Sequence, residues 1–181
     1  MGGTFDPVHN AHLAMARAAL DELALDRILW IPTGAPGYRK PPVASAADRV
    51  AMLELALRGE ERYRIDRREL APEASGYTVD TLRALRAELG EDAELYLLLG
   101  GDQYAALETW RAPEQVARLA KLAVFARPGF DLDKGEVRTI AMAPMAISAS
   151  DIRKRVARGA SLQGLVPVAV ADYIRGHALY R

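Results

Sequence analysis

Gly2-Gly3-Thr4-Phe5-Asp6-Pro7-Val8-His9-Asn10-Ala11-His12 is the stretch on which the reading of this chain turns. Two of the three histidines in the sequence lie in it, three residues apart. A glycine pair precedes them, and Leu13 to Leu20 behind them has the apolar spacing of a helix. If that helix starts near Asn10, a residue type favoured at N-caps, His9 and His12 project from its opening turn beside unpaired N–H groups. A glycine-rich turn that feeds a helix N-terminus favours anions, because free N–H groups and the helix dipole both point at the ligand. Without that setting, two such histidines fit a solvated surface, a metal pair or a plain helix start. The glycines ahead of them favour phosphate handling.

Outward from this stretch, short apolar runs alternate with amphipathic segments, the pattern of an α/β protein with a mainly parallel sheet and helices on both faces. Ile28 to Ile31 reads as a buried strand, and the Pro- and Gly-rich loop from Pro32 to Ser45 carries Tyr38-Arg39-Lys40. Ser45 and Asp48 have capping-box spacing for a helix running to about Leu57 and closed by Gly59. Tyr63 to Ile65 is a weaker strand. Thr78 is expected to cap a helix that ends at Leu89 with Gly90 as its stop. Leu95 to Leu99 is the clearest strand and runs into Gly100-Gly101-Asp102. A helix opened near Pro113 precedes a strand at Leu122 to Phe125, and Arg138 to Met142 reads as another. Ser148 and Asp151 repeat the capping-box spacing for a helix stopped by Gly159. Pro167 suits the first turn of a last helix closed by Gly176. Ligands of open parallel sheets bind beyond the carboxyl ends of the strands, which selects the Pro32 loop, the Gly100–Asp102 turn, Arg127-Pro128-Gly129 and the Ser148 helix start.

The 181 residues are expected to form a single domain, 1–181, with a C-terminal helical part from about residue 148. Lys plus Arg balance Asp plus Glu at 24 each, so composition supplies no reason to expect nucleic acid or an anionic membrane as partner. Any phosphate binding must come from local placement of charge. The absence of cysteine excludes disulfides and thiolate metal sites and fits a cytoplasmic protein. No apolar run approaches the roughly 20 residues of a membrane span.

The run from Gly2 to His12 resembles the signature of the nicotinamide/nicotinate mononucleotide adenylyltransferase family, Gly-Gly-Ser/Thr-Phe-Asp-Pro-x-His-x-Gly-His, with Ala11 in place of one glycine. Ile147-Ser148-Ala149-Ser150-Asp151-Ile152-Arg153 resembles the family's second motif, Ile-Ser-Ser-Thr-x-Ile-Arg, departing at Ala149 and Ser150. By itself that segment is a well-capped helix start; chemically it also offers two hydroxyls, free N–H groups and an arginine one turn in. The two motifs stand in the family's order near opposite ends of the chain. Ser75-Gly76-Tyr77-Thr78-Val79-Asp80-Thr81 resembles the bacterial branch, where backbone N–H groups receive the nicotinate carboxylate.

What the resemblance implies is a Rossmann-like, doubly wound fold and transfer of the adenylyl group of ATP to nicotinate mononucleotide, in NAD biosynthesis. His9, His12, Lys40 and Arg153 are assigned to catalysis, with Lys40 preferred to Arg39 as the loop cation. Gly2, Gly3, Thr4, Phe5, Gly100, Asp102, Arg127, Ile147, Ser148 and Ser150 are assigned to ATP. Tyr77, Thr78, Asp102 and Trp110 are assigned to nicotinate mononucleotide, Trp110 by stacking on the pyridine ring. Mg²⁺ is expected to arrive with ATP, held by substrate and water, so no protein metal ligand is required. Oligomeric state stays open, a homo-oligomer included. Phosphopantetheine adenylyltransferase and the cytidylyltransferases share the His-x-x-His element, but the Tyr77-Thr78 and Trp110 segments argue against them. An inactive nucleotide-binding module is the alternative from another class; the intact His9, His12 and Arg153 argue against it.

In the family an apolar strand leads into the Gly-Gly turn, whereas here only Met1 precedes it. Four or five such side chains would contribute roughly 1.5–3 kcal/mol each, comparable with a domain's whole net stability of about 5–15 kcal/mol. The expectation is that the first central strand is missing from this sequence, either because the natural start lies upstream of Met1 or because the chain is truncated.

Overall fold

A computed structural model describes residues 1–34, 40–125, 137–143 and 145–181. The elements in order are β1 (Gly2–Gly3), α1 (Asn10–Glu22), β2 (Ile28–Pro32), α2 (Ala46–Ala56), β3 (Tyr63–Ile65), α3 (Thr78–Leu89), β4 (Tyr96–Gly100), α4 (Gly101–Ala105), α5 (Pro113–Leu119), β5 (Lys121–Phe125), β6 (Val137–Ile140), α6 (Ala149–Ala157) and α7 (Val168–Gly176). Every ladder among the described residues is parallel. Hydrogen bonding divides the strands into two sheets, β1-β2-β3 and β4-β5-β6. β1 is only two residues long and pairs Gly2 with Ile31 and Gly3 with Pro32.

Side-chain alternation shows why helices must cover both faces. Along β4, Leu98 enters the main core with Phe5, Trp30, Leu53 and Ile152, while Leu97 and Leu99 turn to a second core with Val79, Leu82 and Val116. In β5, Ala123 and Phe125 take the first side and Leu122 and Val124 the second. Strands buried on both faces read as continuous apolar runs, which is how β4 stands out in the sequence. The main core joins strands of both sheets to α1, α2, α6 and α7, and α3 packs on α5 over the other face.

Most helix ends follow from local chemistry. Ser45 and Ser148 cap α2 and α6, each accepting a hydrogen bond from the backbone N–H three residues on. Gly90 stops α3 at φ +81°, and Gly159 lies just past α6 at +66°, a region that favours glycine. Two caps differ from expectation by one residue. His9, not Asn10, is the N-cap of α1, and Tyr77, not Thr78, precedes α3. Asn10 is used elsewhere: its backbone N–H donates to Leu165 O and its side-chain amide to Gly164 O, tying the start of α1 to the segment before α7. The Gly101–Asp102 segment, read as a turn, begins the one-turn helix α4.

Candidate active site

The turn between β1 and α1 is shaped by a close approach. A Cβ on Gly3 would lie 2.9 Å from the Phe5 ring, so only glycine lets that ring fold back. Phe5 itself has φ +49° and is buried at 2 % exposure. Its ring supports His12 edge-on at 5.1 Å and leans on Trp30 at 5.5 Å. His9 and His12 stack with ring centroids 3.6 Å apart. The His9 backbone N–H donates to His12 Nδ1 at 3.2 Å. An Nδ1 that accepts leaves the neutral ring's proton on Nε2, so His12 can donate from that atom. Burial lowers the pKa of His9 to about 4, and burial with repulsion from His9 lowers that of His12 to about 3. Both rings are neutral at pH 7.

Asp6 organises the ground around this turn. Its carboxylate, on a residue 3 % exposed, accepts the N–H groups of Val43 (2.7 Å) and Ala44 (3.1 Å) and the hydroxyl of Tyr180 (2.8 Å). Arg153 donates to the Asp6 carbonyl at 2.6 Å and stands 3.8 Å from its carboxylate. Buried Arg49 donates to Thr4 O at 2.7 Å. Sequence reasoning assigned no role to Asp6, Arg49 or Tyr180. Arg49 had one signal, since it falls at the apolar-face spacing of α2 with Met52 and Leu53. The partners of Asp6 lie 37 to 174 residues away, and nothing local announces them.

Nearly all the assigned residues line one open cleft of about 1840 Å³: Gly2, Gly3, Thr4, Phe5, His9, His12, Lys40, Thr78, Gly100, Asp102, Trp110, Ile147, Ser148, Ser150 and Arg153. The same cleft runs on past Leu25 and Arg27, before the N-terminal end of β2, so it extends well beyond the strand-end site. Phe5 lines the cleft and carries His12 edge-on against its ring. Gly100 makes room for Asp102, whose carboxylate oxygen would lie 2.8 Å from a Cβ placed there. The Ser148 hydroxyl accepts Asp151 N–H and donates to the Asp151 carboxylate, holding that acid below its ordinary pKa. Lys40 and Ser150 are exposed, and Trp110 is half-buried. Tyr77 sits apart from that lining, its ring 4.6 Å under the Arg111 guanidinium. Arg127 and Arg39 lie outside the described residues. Trp30 is fully buried in the core, and His177 stacks on Tyr173 at 3.8 Å.

Among the described residues no three His, Cys, Asp or Glu side chains converge as a metal site requires. Nor is any helix among them long and apolar enough to cross a membrane. An enclosed turn of neutral imidazoles and an arginine-bearing helix start, both beyond parallel strands, define the cleft of a nucleotide-handling α/β protein.

Comparison with known proteins carries this further. The family model described as cytidylyltransferase-like matches residues 1–155. The protein of Chromobacterium violaceum named probable nicotinate-nucleotide adenylyltransferase is 46 % identical, covering 99 % of this chain and 96 % of its own. Its namesake from Bordetella petrii is 47 % identical, covering 100 % and 97 %. Among solved structures, the nicotinic acid mononucleotide adenylyltransferase of Plasmodium falciparum complexed with NaAD superposes with a TM-score of 0.84 over 99 % of this chain and 94 % of that one. At 18 % identity, that likeness shows the shared fold. The chain belongs to the cytidylyltransferase-like family and, within it, to the nicotinate-nucleotide adenylyltransferases.

Proposed function

We propose that this chain transfers the adenylyl group of ATP to nicotinate mononucleotide, giving nicotinate adenine dinucleotide and pyrophosphate for NAD biosynthesis in the cytoplasm, and that residues 1–181 act as one unit in doing so. The observation that supports it most directly is the meeting in one cleft of the His9–His12 turn and the Ser148–Arg153 helix start. The names borne by relatives close to half identical supply the substrate.

A phosphate oxygen of the mononucleotide attacks the α-phosphorus of ATP. A new P–O bond forms as the bond to the bridging oxygen breaks, and pyrophosphate leaves with that electron pair. The nucleophile is already an anion, so no strong base is needed. The work falls to positioning and to donors aimed at developing charge. Neutral His12, with its proton on Nε2, is such a donor. Lys40 and Arg153 bring positive charge to the same cleft. Thr78, at the first turn of α3, offers a backbone N–H to the nicotinate carboxylate, and Trp110 offers a face to the pyridine ring.

Magnesium would come with ATP and neutralise phosphate charge there. The buried acid of the His turn, Asp6, has its oxygens engaged by two N–H groups and a hydroxyl. That fits an ion carried on substrate oxygens and water rather than in a protein cage. The test is pyrophosphate release with Mg-ATP and nicotinate mononucleotide, nicotinamide mononucleotide or phosphopantetheine. Preference for the nicotinate substrate is expected. Turnover of phosphopantetheine alone would overturn the reading.

A further inference from the structure

We propose that Tyr180 is a positioning residue for this reaction: its hydroxyl locks the Asp6 carboxylate, and through it the Val43–Ala44 backbone that sets the place of Lys40. The inference rests on the function proposed above.

The geometry supplies each link. A carboxylate has about four acceptor positions, and three at Asp6 are taken by Val43 N–H, Ala44 N–H and the Tyr180 hydroxyl. Removing the hydroxyl leaves the carboxylate free to turn and gives both amides a less defined acceptor. Between Val43 and Lys40 lie only Pro41 and Pro42. Proline fixes φ, so this link is stiff, and a displacement at Val43 reaches Lys40 with little loss. The same carboxylate flanks Arg153, and Asp6 stands three residues before His9.

Tyr180 is more than core filling. Its ring is buried with Val170 and Ile174, which apolar packing explains. The hydroxyl, however, spans 174 residues to reach a buried carboxylate. The residue is also held at φ +63°, in the left-handed region that a side chain of this size rarely adopts. Such conformations persist where surrounding structure dictates them, and they cluster at functional sites. Burial and the Asp6 carboxylate push the phenol's pKa strongly upward, so it donates at every pH of interest.

The test is Tyr180→Phe in the full chain, which keeps the ring and removes one hydroxyl. Amide exchange at Val43 and Ala44 should quicken by about tenfold, with that at Leu20 and Leu53 unchanged, the scale of one hydrogen bond to a charged group. With ATP and nicotinate mononucleotide, kcat should fall by about tenfold and both KM values stay within about twofold. In a Lys40→Ala background the same change should cost less than about twofold, because the group it positions is gone. Pro41→Gly with Pro42→Gly, at an exposed and a half-buried position, should lower kcat while Val43 and Ala44 stay protected. Unchanged exchange at Val43 and Ala44 would overturn the proposal. So would an equal kcat loss with and without Lys40, or the double glycine variant at full rate. Wild-type protein inert toward these substrates would count against the proposed function alone, and the exchange measurement would still decide the latch.

Discussion

The N-termini of α1 and α6 face the same cleft, and they are built from opposite materials. At α1 the cap residue is His9, buried, and its neighbour in the first turn is a second imidazole stacked on it. At α6 the cap is Ser148, whose hydroxyl is engaged with exposed Asp151. The first site is the more enclosed, with His9 buried and His12 half-buried, and holds imidazoles whose protonation desolvation has suppressed. The second is wet, and its Asp151 carboxylate stays ionised to a lower pH than usual. A helix start thus gives general affinity for an anion, but what surrounds it decides between binding and chemistry. In low-dielectric surroundings a fixed donor is worth more and needs no rearrangement as charge develops. On that ground the α1 turn should govern turnover, and the α6 turn should mainly hold substrate and helix in place.

The largest effect should come from His12→Ala. Loss of one preorganised donor predicts a fall in kcat of about 10²–10³-fold, with KM for both substrates changed only a few-fold. Steady-state pyrophosphate release measures it, and equal losses in binding and turnover would break the contrast. Arg153→Lys comes next. It keeps the charge at the α6 side but not the guanidinium fork that reaches the Asp6 carbonyl. We expect about a tenfold loss in kcat/KM for ATP. An unchanged value would make Arg153 part of the wet site only.

A third test uses pH. Folded His9 and His12 protonate near pH 4 and 3, against 6.5 in an unperturbed chain. Between those limits the unfolded chain holds more protons, so stability rises with pH. It is complete above about 6.5 and is lost progressively as pH falls toward 4. The Tm of the wild type should therefore decline across that window, and the decline should be shallower in His12→Ala. Parallel curves would show that the fold does not suppress protonation of His12. The smallest effect belongs to Ser148→Ala. Loss of an N-cap costs about 1 kcal/mol of stability, read from denaturant unfolding, and kcat should change less than about threefold.

What the sequence disclosed divides along a similar line. Ser45 with Asp48, Ser148 with Asp151, and the glycine stops at 90 and 159 were legible because each rests on residues three or four apart. β4 was legible because a strand covered on both faces is apolar throughout. The one-residue errors at Asn10 and Thr78 arose because cap preference describes an isolated helix, whereas Asn10 is drawn to Gly164 and Leu165. Asp6, Arg49 and Tyr180 were opaque for the same reason at larger scale. A buried carboxylate and a penultimate tyrosine are ordinary letters until the fold sets them 2.8 Å apart. The histidines were visible, but their neutrality, which sets the chemistry, came only with burial.

The bonds from Asp6 to Arg153 and Tyr180, across 147 and 174 residues, also place the site in time. Contacts of such separation require nearly the whole chain to be enclosed before they form, and in folding they come slowly. A nascent chain that has released Gly2 to His12 from the ribosome still lacks both the arginine and the phenol that complete the turn. Reactivity toward ATP is therefore among the last properties the molecule acquires. Recovery of activity during refolding should report the docking of α7 rather than the formation of β4 and β5.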